Sequence, residues 1–208
     1  MTNQFSLLWV VLGAGTYLLG ALPLGYWLTR RVTGIQLDRF ATGNTGVANA
    51  FRAGPPWLGG TIVLLDILRM LGFLRLGERY WALSREALYF GLLMMVAGNM
   101  HSVFLSFRGS KGRTLSLWGM LYLQPLVLLV LTGIWGLGFA VTGRSRKAVW
   151  WMLPLIAPLV GYAEGSVPVF LMALGLTALY AVNNGENRDD FAYQMELIRE
   201  RRKQAGER

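Results

Sequence analysis

Apolar residues in this chain come in unbroken runs, not in the spaced stripes of a helix lying on a water-facing core. Runs near 5–28, 56–75, 86–107, 148–163 and 166–182 approach the length that a helix needs to cross the roughly 30 Å of bilayer hydrocarbon. A sixth stretch, 114–142, carries no charge over a length that is generous for one crossing. Gln124-Pro125 offers a turn within it, because proline has no N–H to continue a helix, so a short helix over 114–123 and a second over 126–142 are predicted. The pattern predicts an all-α polytopic membrane protein with seven transmembrane helices.

Composition agrees with a lipid solvent: 54% of residues are hydrophobic, only 15% are charged, and the mean hydropathy is +0.42. Twenty Lys and Arg against eleven Asp and Glu leave a net charge of +9, which first suggests a nucleic-acid partner. The placement of the cations argues against one. With the N-terminus outside and the C-terminus cytoplasmic, Arg30, Arg31, Arg39 and Arg52 fall on the inner face, as do Arg108, Lys111 and Arg113, then Arg144, Arg146 and Lys147, then six in the tail from Arg188. Arg69, Arg75, Arg79 and Arg85 are left in or beside an outer loop. The charge therefore reads as the topology of an inner-membrane protein surrounded by membrane lipids, with no nucleic acid. A single crossing over 114–142 would put the Arg144 cluster outside, so the charge rule favours the split.

No basic residue precedes the first apolar run and Arg30-Arg31 follow it, which predicts a retained anchor and not a cleaved signal. Residues 1–190 are read as one membrane domain and 191–208 as a charged cytoplasmic tail. Zero cysteines and one histidine exclude disulfide frameworks and thiol catalysis and argue against a zinc or haem centre, so no metal or cofactor is expected.

Four inward-facing segments are more polar than connectors require. Thr42-Gly43-Asn44-Thr45-Gly46-Val47-Ala48-Asn49-Ala50-Phe51-Arg52 combines glycines that expose backbone N–H groups, two amides and a guanidinium fork, the makings of an anion site. A polar turn capping a helix reads the same way. Arg108-Gly109-Ser110-Lys111-Gly112-Arg113-Thr114 sets three cations and two glycines before a predicted helix start, where N–H groups favour phosphate. It lacks the spacing of a nucleotide P-loop. Asn99 and His101 lie just upstream, able to line the same cavity or to be hydrogen-bonded structurally. Asp66 and Arg69 share a helix face and are expected to pair with each other, with a contact from Asp66 to Arg52 or Lys111 as the functional option. Asn183-Asn184-Gly185-Glu186-Asn187-Arg188 leaves the last span as either a site wall or a helix stop.

Taken in order, these motifs resemble the bacterial membrane-embedded acyl-phosphate:glycerol-3-phosphate acyltransferases, the PlsY family, over nearly the whole chain. Tyr17 through Tyr26 is similar to that family's first-helix Leu-Gly-Ser-Ile-Pro-Phe-Gly-Tyr. Thr42 through Arg52 resembles Ser-Gly-Asn-x-Gly-Ala-Thr-Asn-x-x-Arg, Asp66 to Arg69 resembles Asp-x-x-Lys, and Val103 through Gly112 resembles Val-Phe-Leu-x-Phe-Lys-Gly-Gly-Lys-Gly. The resemblance implies transfer of a fatty acyl group from acyl phosphate to the 1-hydroxyl of glycerol 3-phosphate, with those two molecules as substrates, lysophosphatidate and phosphate as products, and no metal or acyl-CoA.

Carried onto this chain, it implies catalytic roles for Lys111, Arg52 and Asn44. Substrate contacts fall to Thr42, Gly43, Gly46, Asn49, Asn99, Arg108, Gly109, Ser110, Gly112, Glu186 and Asn187. The donor's own phosphate would take the proton. The chain departs from the pattern at Thr42, at Asn99 where the family has histidine, at Ser110 in place of glycine, at Arg144-Ser145-Arg146-Lys147 in place of a serine-rich stretch, and after Glu186-Asn187. The alternative is a divergent paralogue that binds a lipid phosphate or another anion without acylating, or that uses another donor or acceptor.

Overall fold

The computed structural model describes the backbone of residues 2–186 and the side chains of 7–184, with Tyr193, Met195 and Arg199 beyond them. Among the described residues the regular structure is all helical. It comprises α1 (Thr2–Ala21), α2 (Leu24–Thr33), α3 (Val47–Ala53), α4 (Pro56–Tyr80), α5 (Arg85–Met100), α6 (Arg113–Leu123), α7 (Pro125–Thr142), α8 (Ser145–Glu164) and α9 (Val167–Glu186). Single 3-10 turns occupy Leu37–Arg39 and Val103–Leu105.

Among the described residues five segments are long and apolar enough to cross a membrane: Leu7–Thr33, Pro56–Tyr80, Arg85–Leu105, Pro125–Thr142 and Val167–Asn184. α6 has 11 residues, about 16 Å of helix, and α8 is not among the five. The chain turns where Gln124-Pro125 predicted it, with α6 ending at Leu123 and α7 starting at Pro125. The first apolar run differs from expectation. Instead of one helix over 5–28 it breaks at Leu22-Pro23 into α1 and the amphipathic α2, because Pro23 has no N–H to give to Leu19.

α5 is the hub, packed against α1, α9, α6 and α4. Lipid tails are as apolar as leucine, so burial alone does not drive helices together and close backbone approach matters more. A Cβ on Gly20 would overlap the Met95 carbonyl, and one on Gly98 would overlap the Tyr17 carbonyl, so α1 and α5 touch backbone to backbone. The main core joins Met70 and Leu74 of α4, Leu92 and Met95 of α5, Leu115 of α6 and Ile156 of α8. A smaller cluster of Tyr26, Leu37, Ala50, Ala53, Leu58 and Ile62 fastens the 34–55 segment to the first turns of α4. Leucines and valines such as Leu7, Val10, Leu68, Leu126 and Leu171 stay exposed, as a lipid-facing surface requires.

At one end of the bundle Glu164 ties three connections together. It pairs with Arg85 at the start of α5 and accepts hydrogen bonds from Tyr89 and from Gln124 between α6 and α7. The polar segments singled out in the sequence gather at the opposite end.

Candidate active site

The break in α1 leaves backbone carbonyls without helical partners in an apolar setting, where each is expensive. Arg69, thirteen residues into α4, supplies the missing donors. One guanidinium nitrogen reaches the carbonyls of Leu19 (3.4 Å), Gly20 (3.2 Å) and Leu22 (3.0 Å), while the other pairs with Asp66 at 2.7 Å. Ser102 donates to the carbonyl of Ala21 at 2.6 Å. Asp66 and Arg69 therefore pair with each other, as expected, and Arg69 is no outer-loop cation: it caps α1 within the bundle. The arrangement fixes the Leu22–Gly25 turn.

The 42–46 segment is a tight turn over the Leu37–Arg39 coil. Gly43 sits at φ +72°, a conformation that penalises any side chain, and its N–H bonds back to Phe40. Asn44, 3% exposed, accepts a hydrogen bond from the Gly46 N–H at 3.1 Å, an Asx turn that starts α3. Thr42 is buried beside it. Asn49 is fully buried and donates to the carbonyls of Leu37 (3.1 Å) and Phe40 (2.8 Å), so its amide nitrogen holds the turn while its Oδ1 has no hydrogen-bond partner among the described residues. Arg52 occupies the last turn of α3, with its guanidinium 5.5 Å from the Tyr193 ring centroid.

α5 ends at Met100 and the chain doubles back on itself. Tyr17 of α1 donates to the His101 carbonyl at 2.6 Å, which places His101 as the α5 cap, its residue half-buried. The Ser110 N–H donates to the Asn99 carbonyl at 2.9 Å, and the Ser110 hydroxyl donates to the Asn99 side-chain oxygen. Only glycine fits at 109, since a Cβ there would overlap the Asn99 carbonyl. Arg108 before it is exposed.

Gly112, at φ +64°, opens α6, and its N–H donates to the Ser110 hydroxyl oxygen at 3.1 Å. Its carbonyl accepts from Ser116 (2.6 Å) and from Tyr180 of α9 (3.3 Å). Lys111 is 8% exposed, held between these two fixed residues at the amino-terminal end of α6. Helix amino termini carry partial positive charge, so cation and dipole act in the same direction there.

The two glycine loops meet. A Cβ on Gly46 would lie 3.3 Å from both Asn44 Oδ1 and Ser110 Cβ, so the turn before α3 rests directly against the loop before α6. Beside that contact is a small cleft of about 40 Å³ bordered by Thr45, Gly46, Asp66, Arg69, Asn99, Ser102, Gly109, Ser110 and Thr114, with the Leu22–Tyr26 turn closing it. Of the residues predicted for the site, Gly46, Asn99, Gly109 and Ser110 border the cleft. Lys111 and Gly112 follow Ser110 in the chain and are buried, while Thr42, Gly43, Asn44 and Asn49 shape the turn that supplies Gly46. Arg52 and Arg108 do not border the cleft.

Glu186 ends α9, and Asn187 lies outside the described residues. Asn184 of the same helix donates to the Arg146 carbonyl at 3.2 Å, near the buried Ser145. Sequence reasoning missed Ser102, Thr114, Tyr17 and Tyr180. The available signals were Pro23 inside an apolar run, which demands foreign donors, and a hydroxyl directly after His101.

Comparison with known proteins gives a consistent picture. A sequence profile described as glycerol-3-phosphate acyltransferase matches residues 9–191. A glycerol-3-phosphate acyltransferase of Anaeromyxobacter sp. (strain Fw109-5) is 30% identical over 187 residues, 88% of this chain and 92% of that one. Another, from Syntrophomonas wolfei, is 29% identical over 178 residues, 83% and 88% of the respective chains. Among solved structures, the integral membrane glycerol 3-phosphate acyltransferase PlsY in its glycerol 3-phosphate form superposes with a TM-score of 0.67 at 26% identity, covering 86% of this chain and 88% of that one.

Proposed function

The chain belongs to the glycerol-3-phosphate acyltransferase family, and we propose that it moves a fatty acyl group from an acyl phosphate to the 1-hydroxyl of glycerol 3-phosphate. It is a membrane acyltransferase of phospholipid biosynthesis. In the proposed reaction the hydroxyl oxygen attacks the acyl carbonyl carbon, the bond from that carbon to the phosphate oxygen breaks, and the departing phosphate takes the hydroxyl proton. Lysophosphatidate and inorganic phosphate leave. Atoms balance without a protein base, metal or redox partner.

Two anions repel as they approach, so the protein's task is to offset that repulsion and hold the reacting atoms in line. The observation that carries the reading is the junction at Gly46 and Ser110, where two glycine-bearing loops and the amino terminus of α6 come together beside a buried lysine. In this reading Lys111 and the α6 N–H groups hold the donor phosphate, with Ser110, Gly109 and Gly112 shaping that loop. Arg52, Asn44 and the Thr42–Asn49 turn hold the acceptor phosphate and hydroxyls, and Asn99, Arg108, Glu186 and Asn187 complete the surround. The cleft faces the cytoplasm in an inner-membrane protein of seven spans, N-terminus outside, with α6 and α8 added to the five long apolar segments. The alternation of ends around Glu164 at one side and Ser110 at the other supports that arrangement.

Purified protein in detergent, given acyl phosphate and glycerol 3-phosphate, is expected to release inorganic phosphate. Lys111→Ala is expected to reduce release by about 10²- to 10³-fold, the usual cost of removing a preorganised charge from a transition state. Release at the same rate from the wild type and the alanine variant would defeat the assignment of Lys111, and turnover only with acyl-CoA would defeat the donor.

A further inference from the structure

The 20 residues of α1 make about 30 Å of helix, the full thickness of bilayer hydrocarbon, so the chain has reached headgroup level where it breaks at Leu22-Pro23. α2 therefore lies at the interface. Its buried side carries Tyr26 and Thr29 and packs toward α3 and α4. On the opposite side Trp27, Arg31 and Val32 are exposed, with Trp27 and Arg31 one turn apart and Arg30 exposed beside them. Indole rings collect at this depth because the ring is apolar and its N–H is wet. Arginines in the last turn also suit the helix dipole, but that leaves the tryptophan and valine of the same strip unexplained. A cation on an apolar face turned to lipid finds its counter-anion in a lipid headgroup.

This outer face is joined to the polar cleft. Leu24, Gly25 and Tyr26, the first residues of α2, border the cleft. A Cβ on Gly25 would lie 2.8 Å from the Ile62 side chain, so α2 is seated on α4 without slack. Trp27 meets Phe104 edge to face with ring centroids 6.1 Å apart, and Leu105, the next residue, borders the same cleft. Phe104 is itself 47% exposed. Two walls of the cleft thus carry aromatic rings planted in the interface, and the arginines stand on one of those walls.

We infer that the outer face of α2 binds the headgroup of an anionic phospholipid, with Arg30 and Arg31 on its phosphate and Trp27 against it, and that this contact steadies the Leu22–Tyr26 wall of the cleft. An anionic lipid is favoured over a zwitterionic one because no cationic headgroup amine competes for its phosphate, a preference of about fivefold for each arginine at the surface. The effect on turnover rests on the acyl-transfer reading; the binding does not. Surface charge alone works in the other direction, since a more anionic membrane repels glycerol 3-phosphate and raises its KM. A kcat that rises with anionic lipid therefore reports the seated headgroup.

The test uses full-length protein in nanodiscs of phosphatidylcholine in which phosphatidylglycerol replaces a rising share. One lipid or the other carries brominated chains, which quench a tryptophan they touch, and the part due to Trp27 is the difference that Trp27→Phe makes in each background. Brominated phosphatidylglycerol is expected to quench Trp27 beyond its share of the bilayer, and brominated phosphatidylcholine is not. Arg30→Gln with Arg31→Gln is expected to lower this preference by about fivefold for each arginine, while Arg30→Lys with Arg31→Lys keeps most of it. In the same discs kcat for phosphate release should rise with phosphatidylglycerol in the wild type and stay flat in the glutamine variant, the two turning over alike in pure phosphatidylcholine. Equal quenching by both lipids, or a preference that survives the loss of both arginines, would overturn the headgroup site. A wild-type kcat indifferent to phosphatidylglycerol would overturn its hold on the cleft. Selective quenching in a protein without turnover would leave the lipid site standing and defeat the acyl-transfer reading instead.

Discussion

Arg69→Met removes the guanidinium that caps α1 while keeping an unbranched, helix-compatible side chain of comparable reach. Four interactions vanish together: the bonds to the carbonyls of Leu19, Gly20 and Leu22, and the ion pair with Asp66. Polar contacts within membrane proteins average about 0.6 kcal/mol each, so simple addition gives a lower bound of about 2 kcal/mol. The variant also strands the Asp66 carboxylate, which is 8% exposed, and breaking a buried pair from one side costs about 3–5 kcal/mol. The second effect dominates, and the expected loss is about 3–5 kcal/mol.

Two further variants separate the contributions. Asp66→Asn in the Arg69→Met background is expected to recover at least about 1 kcal/mol, because the stranded charge is gone while the carbonyls stay uncapped. Arg69→Lys keeps the ion pair but has no fork to span three carbonyls, so it should fall between. Unfolding in mixed detergent–dodecyl sulfate micelles, followed by the emission of the eight tryptophans, reads all four proteins. The Leu22–Gly25 turn borders the cleft, so kcat/KM for glycerol 3-phosphate should fall with stability. A loss under about 1 kcal/mol for Arg69→Met, or no recovery when Asp66→Asn is added to it, would refute the capping role.

Two other perturbations probe the two ends of the bundle. Asn99→Ala and Ser110→Ala each remove one side of the hydrogen bond that folds the Lys111 loop onto α5, so their effects on kcat should be strongly non-additive, with a coupling of about 1 kcal/mol in a double-mutant cycle. Independent effects would mean that the pair does not position the loop. At the far end, Glu164→Gln is expected to cost about 1–3 kcal/mol of stability by releasing Arg85, Tyr89 and Gln124. The folded fraction should keep wild-type kcat, and a selective loss of kcat would show that the clamp communicates with the site.

The capping arginine and the loop pair describe one design. Each of these candidate-site segments is a short irregular stretch, and each is fastened by a donor brought from another helix: Arg69 on α4 for the Leu22 turn, Tyr17 on α1 for His101, Tyr180 on α9 for Gly112. Irregular backbone at membrane depth is stable only with such partners. The rigidity that results suits the proposed reaction, whose rate would depend on bringing two anions into register.

Much of this was legible in the sequence because lipid makes structure local. Backbone groups surrounded by hydrocarbon must bond within their own segment, so apolar runs become helices wherever they are long enough, and Gln124-Pro125 divides 114–142 as its residues dictate. The glycines at 43, 109 and 112 announced positions where a side chain cannot stand, and the structure uses all three in that way. The Asp66–Arg69 pair followed from helical spacing alone.

Tertiary structure decided which distant group answers each local deficit. Nothing near Pro23 indicates that the orphaned carbonyls before it are met by an arginine 47 to 50 positions away, or that Ser110 and Asn99, where the family pattern has glycine and histidine, form a bonded pair. Asn49 reads as a ligand residue, yet its amide nitrogen is spent on Leu37 and Phe40. Helix formation is set by neighbours along the chain. The satisfaction of a broken helix end is set by neighbours in space, which periodicity does not encode.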